Sequence, residues 1–181
     1  MIVISPYSKR LINGKINPKN YPFWKEFLAL LDPEIEVIQV GIDGEEQLVP
    51  DFRKNLSMAD LKALIHECDT WVSCDSFFQH LAWAEGKKGI VLWSVSDPLI
   101  YGHPENSNLL KSRSFLAENQ FLWWEFVEHD PMKFVSPETV LEALASLGSV
   151  EKKAEKEAII RVGELRKEAA KNNGLAVLPN G

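Results

Sequence analysis

The stretch Leu56–Trp93, LSMADLKALIHECDTWVSCDSFFQHLAWAEGKKGIVLW, decides the fold. It reads as helix, strand, tight turn, helix, strand. Ser57 is an N-cap with Asp60 as its capping-box partner. Met58, Leu61, Leu64, Ile65 and Cys68 follow at helical spacing, and that stripe reads first as core packing. Thr70–Cys74 is a buried strand. A helix then runs from Phe77 to Glu85 with Phe78, Leu81 and Ala82 on one face. Gly86 ends it, and Lys87 and Lys88 suit the negative end of a helix. Gly89–Trp93 is a second apolar strand. Strands alternating with helices predict a Rossmann-like parallel sheet of the doubly wound α/β class, with helices on both faces. The segment Cys74–His80 then lies at the carboxyl edge of the sheet, where ligands bind in such folds.

The flanking segments extend this pattern. Ile2-Val3-Ile4 reads as a buried central strand ended by Ser5-Pro6. The loop from Tyr7 to Asn20 carries Lys9, Arg10, Lys15 and Lys19, and it suits either a solvated connection or a basic flap over an anionic ligand. Pro22 opens a helix through Leu31 that Asp32-Pro33 stops, and Glu34–Val40 reads as a strand. Gly41–Gly44 turns, with a helical turn expected over Glu45–Leu48. Ser94–Pro104 reads as a loop. Leu109–Val127 has no clear period, and Leu122–Phe126 suits a strand or a packed turn. Ser136-Pro137 opens a helix with Val140, Leu144 and Leu147 on one side. A charged helix with a narrow alanine stripe is expected after it. The expected organisation is a domain over 1–150, a C-terminal helix over 151–172 and a loose tail over 173–181.

Bulk composition narrows the function. At 181 residues the chain can bury roughly 70% of its unfolded surface, so it needs neither disulfide nor metal to hold a core. A net charge of −6 offers no general basic footprint for nucleic acid. Cys68 and Cys74 read as reduced, buried thiols, and with scattered histidines they match no zinc spacing. Met1–Ser5 is too short an apolar run for a signal peptide, and no stretch approaches a membrane span. A cytoplasmic protein is the expectation.

Chemistry gathers at Cys74-Asp75-Ser76-Phe77-Phe78-Gln79-His80. Two roles are open to Asp75: capping the following helix, or accepting hydrogen bonds from ligand hydroxyls. The N–H groups from Ser76 to Phe78 suit a phosphate. A ligand bearing both hydroxyls and phosphate satisfies both requirements, which describes a sugar phosphate. His80 is either a structural histidine or a group facing the sheet edge. Glu45, at the end of another strand, is either solvated or within reach of ribose hydroxyls. No P-loop, glycine-rich dinucleotide fingerprint or Ser-His-Asp order is present.

Leu56-Ser57, Asp75-Ser76-x-x-x-His80-Leu81-Ala82-x-Ala84, Val91-Leu92-Trp93-Ser94, Asp97-Pro98 and Gly102-x-Pro104 stand in an order that resembles glycosyltransferase family nine, the heptosyltransferases. Ser5-Pro6, Lys19–Trp24 and Gly41–Glu45 resemble its upstream elements, so the likeness covers roughly 2–145. It implies the C-terminal, donor-binding half of a GT-B glycosyltransferase. Lys19 would then contact donor phosphate or sugar, and Glu45 the ribose. Leu56 would lie near the base, Asp75 on sugar hydroxyls, and Ser76, Phe77 and His80 around the phosphates. The substrate would be a nucleotide-diphosphate sugar, with no metal cofactor. The acceptor would be a saccharide or lipopolysaccharide-type molecule, and a second copy or a separate subunit would supply the acceptor side. In the family the catalytic base comes from the acceptor half, so the resemblance names none here. Phe77 stands where the family has glycine, which raises two alternatives: a non-catalytic nucleotide-sugar-binding module, or a scaffold that oligomerises through the 151–172 helix.

Overall fold

A computed structural model describes residues 1–121 and 123–148. The chain divides into a compact unit, Met1–Ala143, and a second unit, Leu144–Gly181. The expected helix over 151–172 and the tail over 173–181 lie outside the described residues.

Among the described residues, six strands form one sheet: β1 (Ile2–Ser5), β2 (Val37–Gly41), β3 (Asp51–Lys54), β4 (Thr70–Cys74), β5 (Ile90–Trp93) and β6 (Ser107–Leu110). Their order is β3-β2-β1-β4-β5-β6, and every pair is parallel. Strand order reverses beside β1, where Ser5 is in register with Ser73 of β4. The helices are α1 (Trp24–Leu30), α2 (Met58–Glu67), α3 (Phe77–Ala84) and the short α4 (Pro98–Tyr101). Residues 137–148 are also helical.

Two apolar layers sandwich the sheet. Val3, Val40, Trp71, Val91 and Trp93 pack against Leu64, Ile65 and Cys68 of α2 and Phe78, Leu81 and Ala82 of α3. Each fully buried aliphatic side chain contributes about 1.5–3 kcal/mol. Ile2 and Ile4 alternate with Val3 and so face the other way. Right-handed crossover places α1 on that side. There Tyr21 meets Phe23, Trp24 and Phe134 edge-on at 5.5–5.7 Å. The N-cap of α2 is the expected one, with Ser57 accepting from the Asp60 N–H at 3.1 Å. Gly86 adopts a left-handed φ of 73° just past α3. Both cysteines are free and buried.

Several local expectations are corrected. β3 and β6 escape a sequence reading. β3, Asp-Phe-Arg-Lys, is a charged edge strand with no apolar alternation. Residues 45–48 form no helical turn. The buried Gln39 side chain donates to the Glu46 carbonyl and accepts from the Leu48 N–H, both at 2.8 Å, and this clamps the segment onto β2. The Ser94–Pro104 loop contains α4, whose N-cap is Asp97. Of the two readings open for the Leu122–Phe126 run, the turn is the one found, a single 3₁₀ turn over Trp124–Phe126. Met58 leaves the core stripe and is half exposed.

Gly89 enters β5 beneath Trp71, where an added Cβ would lie 2.3 Å from the indole ring and 2.7 Å from the Trp71 carbonyl oxygen. Backbone and a fully buried ring cannot both retreat. Gly89→Ala is therefore expected to lower the unfolding free energy by about 2–3 kcal/mol in urea titration. An unchanged midpoint would contradict this packing.

Candidate functional site at the carboxyl edge

All six strands run the same way, so the loops after them gather at one edge. Beside the β1/β4 reversal these loops enclose a cleft of about 770 Å³. Lys19, Glu45, Leu56, Asp75, Ser76, Phe77 and His80 all line it. The structure thus brings together every residue singled out from the sequence, although they come from four separate segments.

Asp75 sits at its centre, just past β4, and is 4% exposed. One carboxylate oxygen accepts from Lys19 Nζ at 3.2 Å and the other from Gln79 Nε2 at 2.7 Å. Its main-chain carbonyl accepts from the Ser8 hydroxyl. The carboxylate does not cap α3. The N-cap is Ser76, whose side chain makes no capping bond. Of the two roles open to Asp75, capping is therefore the one the structure does not use. The Ser76 hydroxyl is buried without a protein partner beneath the cleft wall, next to the first turn of α3, whose N–H groups have no partner within the helix.

The loop from Tyr7 to Asn20 is pinned over this point. Ser8 and Asn17 are buried, and the Ser94 hydroxyl donates to the Pro18 carbonyl at 2.8 Å. These anchors deliver Lys19 to Asp75. Its ammonium also lies 5.3 Å from the centre of the Trp124 ring, where a cation is attracted to the aromatic face.

Glu45 folds back after β2, and its carboxylate accepts from the Ile42 N–H at 3.0 Å. Burial pushes its pKa up, against the lowering effect of that hydrogen bond and of Arg10. A Cβ at Gly41 would lie 2.0 Å from a Glu45 oxygen, so a side chain there would displace the Glu45 carboxylate. Leu56 packs partly against the core beneath the cleft. The Phe77 ring is 58% exposed and stands at the cleft wall without closing it. His80 Nδ1 lies 2.9 Å from His103 Nε2. Partial burial lowers the His80 pKa, Asp75 opposes this, and His103 and Lys19 reinforce it.

Cys74 directly below is fully buried, and desolvation pushes its thiol up to about 12, which excludes it as a thiolate nucleophile. Among the described residues no group of three or more His, Cys, Asp or Glu is arranged to hold a metal ion. No helix among them is long and apolar enough to cross a membrane.

Reading the sequence missed Tyr7, Arg53, Asn55, Tyr101, Gln120 and Trp124 as parts of the cleft wall. Arg53 and Asn55 come from the unrecognised β3 and its exit. Gln120 and Trp124 come from the region without a period, where the aromatic run was the one available signal.

Residues 47–120 match the family described as glycosyltransferase family 9 (heptosyltransferase). That is the family whose motif order the sequence resembles, and the matched segment contains α2, β4, α3 and β5. No curated protein matches the chain. Among solved structures, Escherichia coli ADP-heptose lipopolysaccharide heptosyltransferase II is similar with a TM-score of 0.59 at 18% identity, over 83% of this chain and 47% of that one. The iron-containing dodecameric glycosyltransferase TibC of enterotoxigenic E. coli is similar with a TM-score of 0.60 at 13% identity, over 82% of this chain and 46% of that one. TibC bound to ADP-D-β-D-heptose gives 0.59 at 13% identity, over 82% and 45%. At such identities these likenesses establish the fold, and the chain spans just under half the length of each.

The Lys19–Asp75 pair generates a prediction. The side chains are 15% and 6% exposed, so removing one charge strands the other. Lys19→Met is expected to cost about 3 kcal/mol of stability by chemical denaturation. Adding Asp75→Asn should restore part of that loss. If the double variant is no more stable than the single one, the pair is not coupled as its geometry implies.

Proposed function

We propose that the cleft binds a nucleotide-diphosphate sugar and that the chain is the donor-binding part of a glycosyltransferase. The observation that carries this reading is the convergence on one cleft of a buried carboxylate, a lysine, a histidine and a helix start. The family match over 47–120 and the TibC structure with ADP-D-β-D-heptose support the ligand class.

Each group has a task in this reading. Asp75, paired with Lys19 and oriented by Gln79, accepts from hydroxyls of the transferred sugar. Ser76, the N–H groups at the start of α3, His80 and Lys19 surround the diphosphate. Glu45 accepts from ribose hydroxyls, and Leu56 lies against the base. During transfer the bond between the sugar C1 and the diphosphate oxygen breaks, and a bond from C1 to an acceptor oxygen forms. The electron pair leaves with the nucleoside diphosphate, and Lys19 and the N–H groups stabilise the charge that develops there. The acceptor proton passes to a base on an acceptor-holding domain, on this or another polypeptide. The exposed Ile12, Phe121, Trp123 and Phe126 belong to loops on the same edge and suit a surface that meets such a domain.

Titration calorimetry with a panel of ADP- and UDP-sugars tests the reading. Wild type is expected to bind at least one of them, and Asp75→Ala to weaken it about tenfold or more, as expected when a charged hydrogen-bond acceptor is lost. No binding across the panel would overturn the proposal.

Phe77 supports a second reading, a binding module without turnover, because its ring lines the wall at the helix start. A ring there narrows the backbone approach that glycine would permit. Phe77→Gly is expected to tighten donor binding, and a donor-hydrolysis assay on wild type and variant separates binding from turnover. If both proteins bind and neither turns over with any acceptor preparation, the module reading stands.

A further inference from the structure

His80 and His103 are joined by a nitrogen-to-nitrogen hydrogen bond of 2.9 Å at the wall of the cleft. The two rings meet nearly edge-on, with centroids 5.1 Å apart and planes at 83°. His103 is itself held in place. Its ring stacks on Trp83 at 4.1 Å with planes 6° apart, and the Trp83 indole N–H donates to Glu105 at 3.1 Å. A chain of four side chains therefore runs from Glu105 at the surface to His80 at the cleft.

An N···N contact of this kind holds one proton between two lone pairs, so the neutral pair has two arrangements. In one, His103 Nε2–H donates to His80 Nδ1. In the other, His80 Nδ1–H donates to His103 Nε2. The first leaves both rings in the Nε2–H form, which is the intrinsically preferred neutral tautomer of imidazole. The second forces His80 into the less favoured form and leaves its Nε2 as a bare lone pair. Nδ1 is engaged, so Nε2 is the nitrogen His80 has left for a ligand. For an anionic ligand the first arrangement offers a donor and the second a repulsion.

We propose that His103 is a positioning residue that sets the His80 tautomer, so that Nε2–H is presented to the diphosphate, and that the pair takes up a proton when the diphosphate binds. This rests on the donor-binding reading of the cleft. The charged groups facing His80 come from three elements: Asp75 after β4, Lys19 in the loop after β1, and His103 after α4. Partial burial foremost, and then the second imidazole and Lys19, disfavour a proton on His80 in the empty cleft, and Asp75 opposes them. A bound diphosphate brings negative charge and reverses the balance. The pair's pKa therefore rises on binding. Affinity should increase as pH falls through the bound-state pKa and level off below the free-state one.

The experiment measures binding of the same ADP- and UDP-sugars from about pH 8 down to about pH 5.5, a range that brackets histidine titration. Their diphosphate diesters take up no proton there, so any slope belongs to the protein. Wild type is expected to tighten about fivefold or more on acidification, the scale of one charge-assisted hydrogen bond. His80→Gln, which removes the titrating ring, should lose most of that slope. His103→Phe, which keeps the stacking on Trp83 but offers Nδ1 no donor, should weaken binding at high pH, and His103→Gln, which keeps such a donor, should restore it. Nitrogen-15 NMR of histidine-labelled, ligand-free protein reads the tautomer directly, with the Nε2–H form expected for His80 in wild type and disturbed in His103→Phe. An Nδ1–H signal for His80, an identical pH slope in wild type and His80→Gln, or an unchanged high-pH affinity in His103→Phe would overturn the proposal. If no sugar nucleotide binds at any pH, the donor reading fails by itself, and the tautomer measurement still decides the role of His103.

Discussion

The buried ion pair between Lys19 and Asp75 is the contact on which the cleft depends. Placing a carboxylate at 4% exposure is expensive unless its charge is matched and its lone pairs are filled. Here one lysine and one glutamine do both. The cost explains the architecture around the pair. The loop that carries Lys19 must be held down, so Ser8, Asn17 and Pro18 are tied to the end of β4, to Lys9 and to Ser94. A folding-only account would fill this corner with apolar side chains at no loss of stability. A paired charge kept at the open end of a parallel sheet is better explained by a ligand with hydroxyls and negative charge.

The pair also divides the labour of the site. Because Lys19 neutralises Asp75, the first turn of α3 is not occupied by its own carboxylate. Asp75 at a capping position would compete with an incoming anion for the same N–H groups. Instead the carboxylate turns toward Lys19 and Gln79, and the Ser76 hydroxyl is left unpaired beneath the cleft wall. In the proposed reading, hydroxyl-accepting and anion-accepting functions sit side by side on two consecutive residues. His80, on the same helix, adds a titratable donor whose orientation is set from outside the helix by His103.

Much of this was legible in the sequence, for identifiable reasons. The central helix–strand–helix–strand unit was readable because Leu64, Ile65, Phe78, Leu81 and Ala82 keep helical spacing while Val72 and Ile90–Trp93 are continuous apolar runs. Such patterns reflect burial and do not depend on knowing what does the burying. β3 and β6 were not readable. An edge strand has one neighbour and little buried surface, so its residues carry no alternation. The extended run at residues 46–48 was hidden for another reason. Its conformation is imposed by one buried side chain, Gln39, on a neighbouring strand.

The sequence by itself determined the class of fold, the strand-to-helix junction at Asp75 and the residue types available for binding a sugar and a phosphate. Local chemistry suffices for these, because turns, caps and apolar periods act over a few residues. Tertiary structure alone decided that Lys19 reaches Asp75 across 56 positions, that His80 meets His103 across 23, and that Phe77 lines the cleft wall. Those contacts depend on how far each loop can travel once its anchors are set. Many side chains satisfy the same local pattern, and only the assembled sheet edge selects which of them meet.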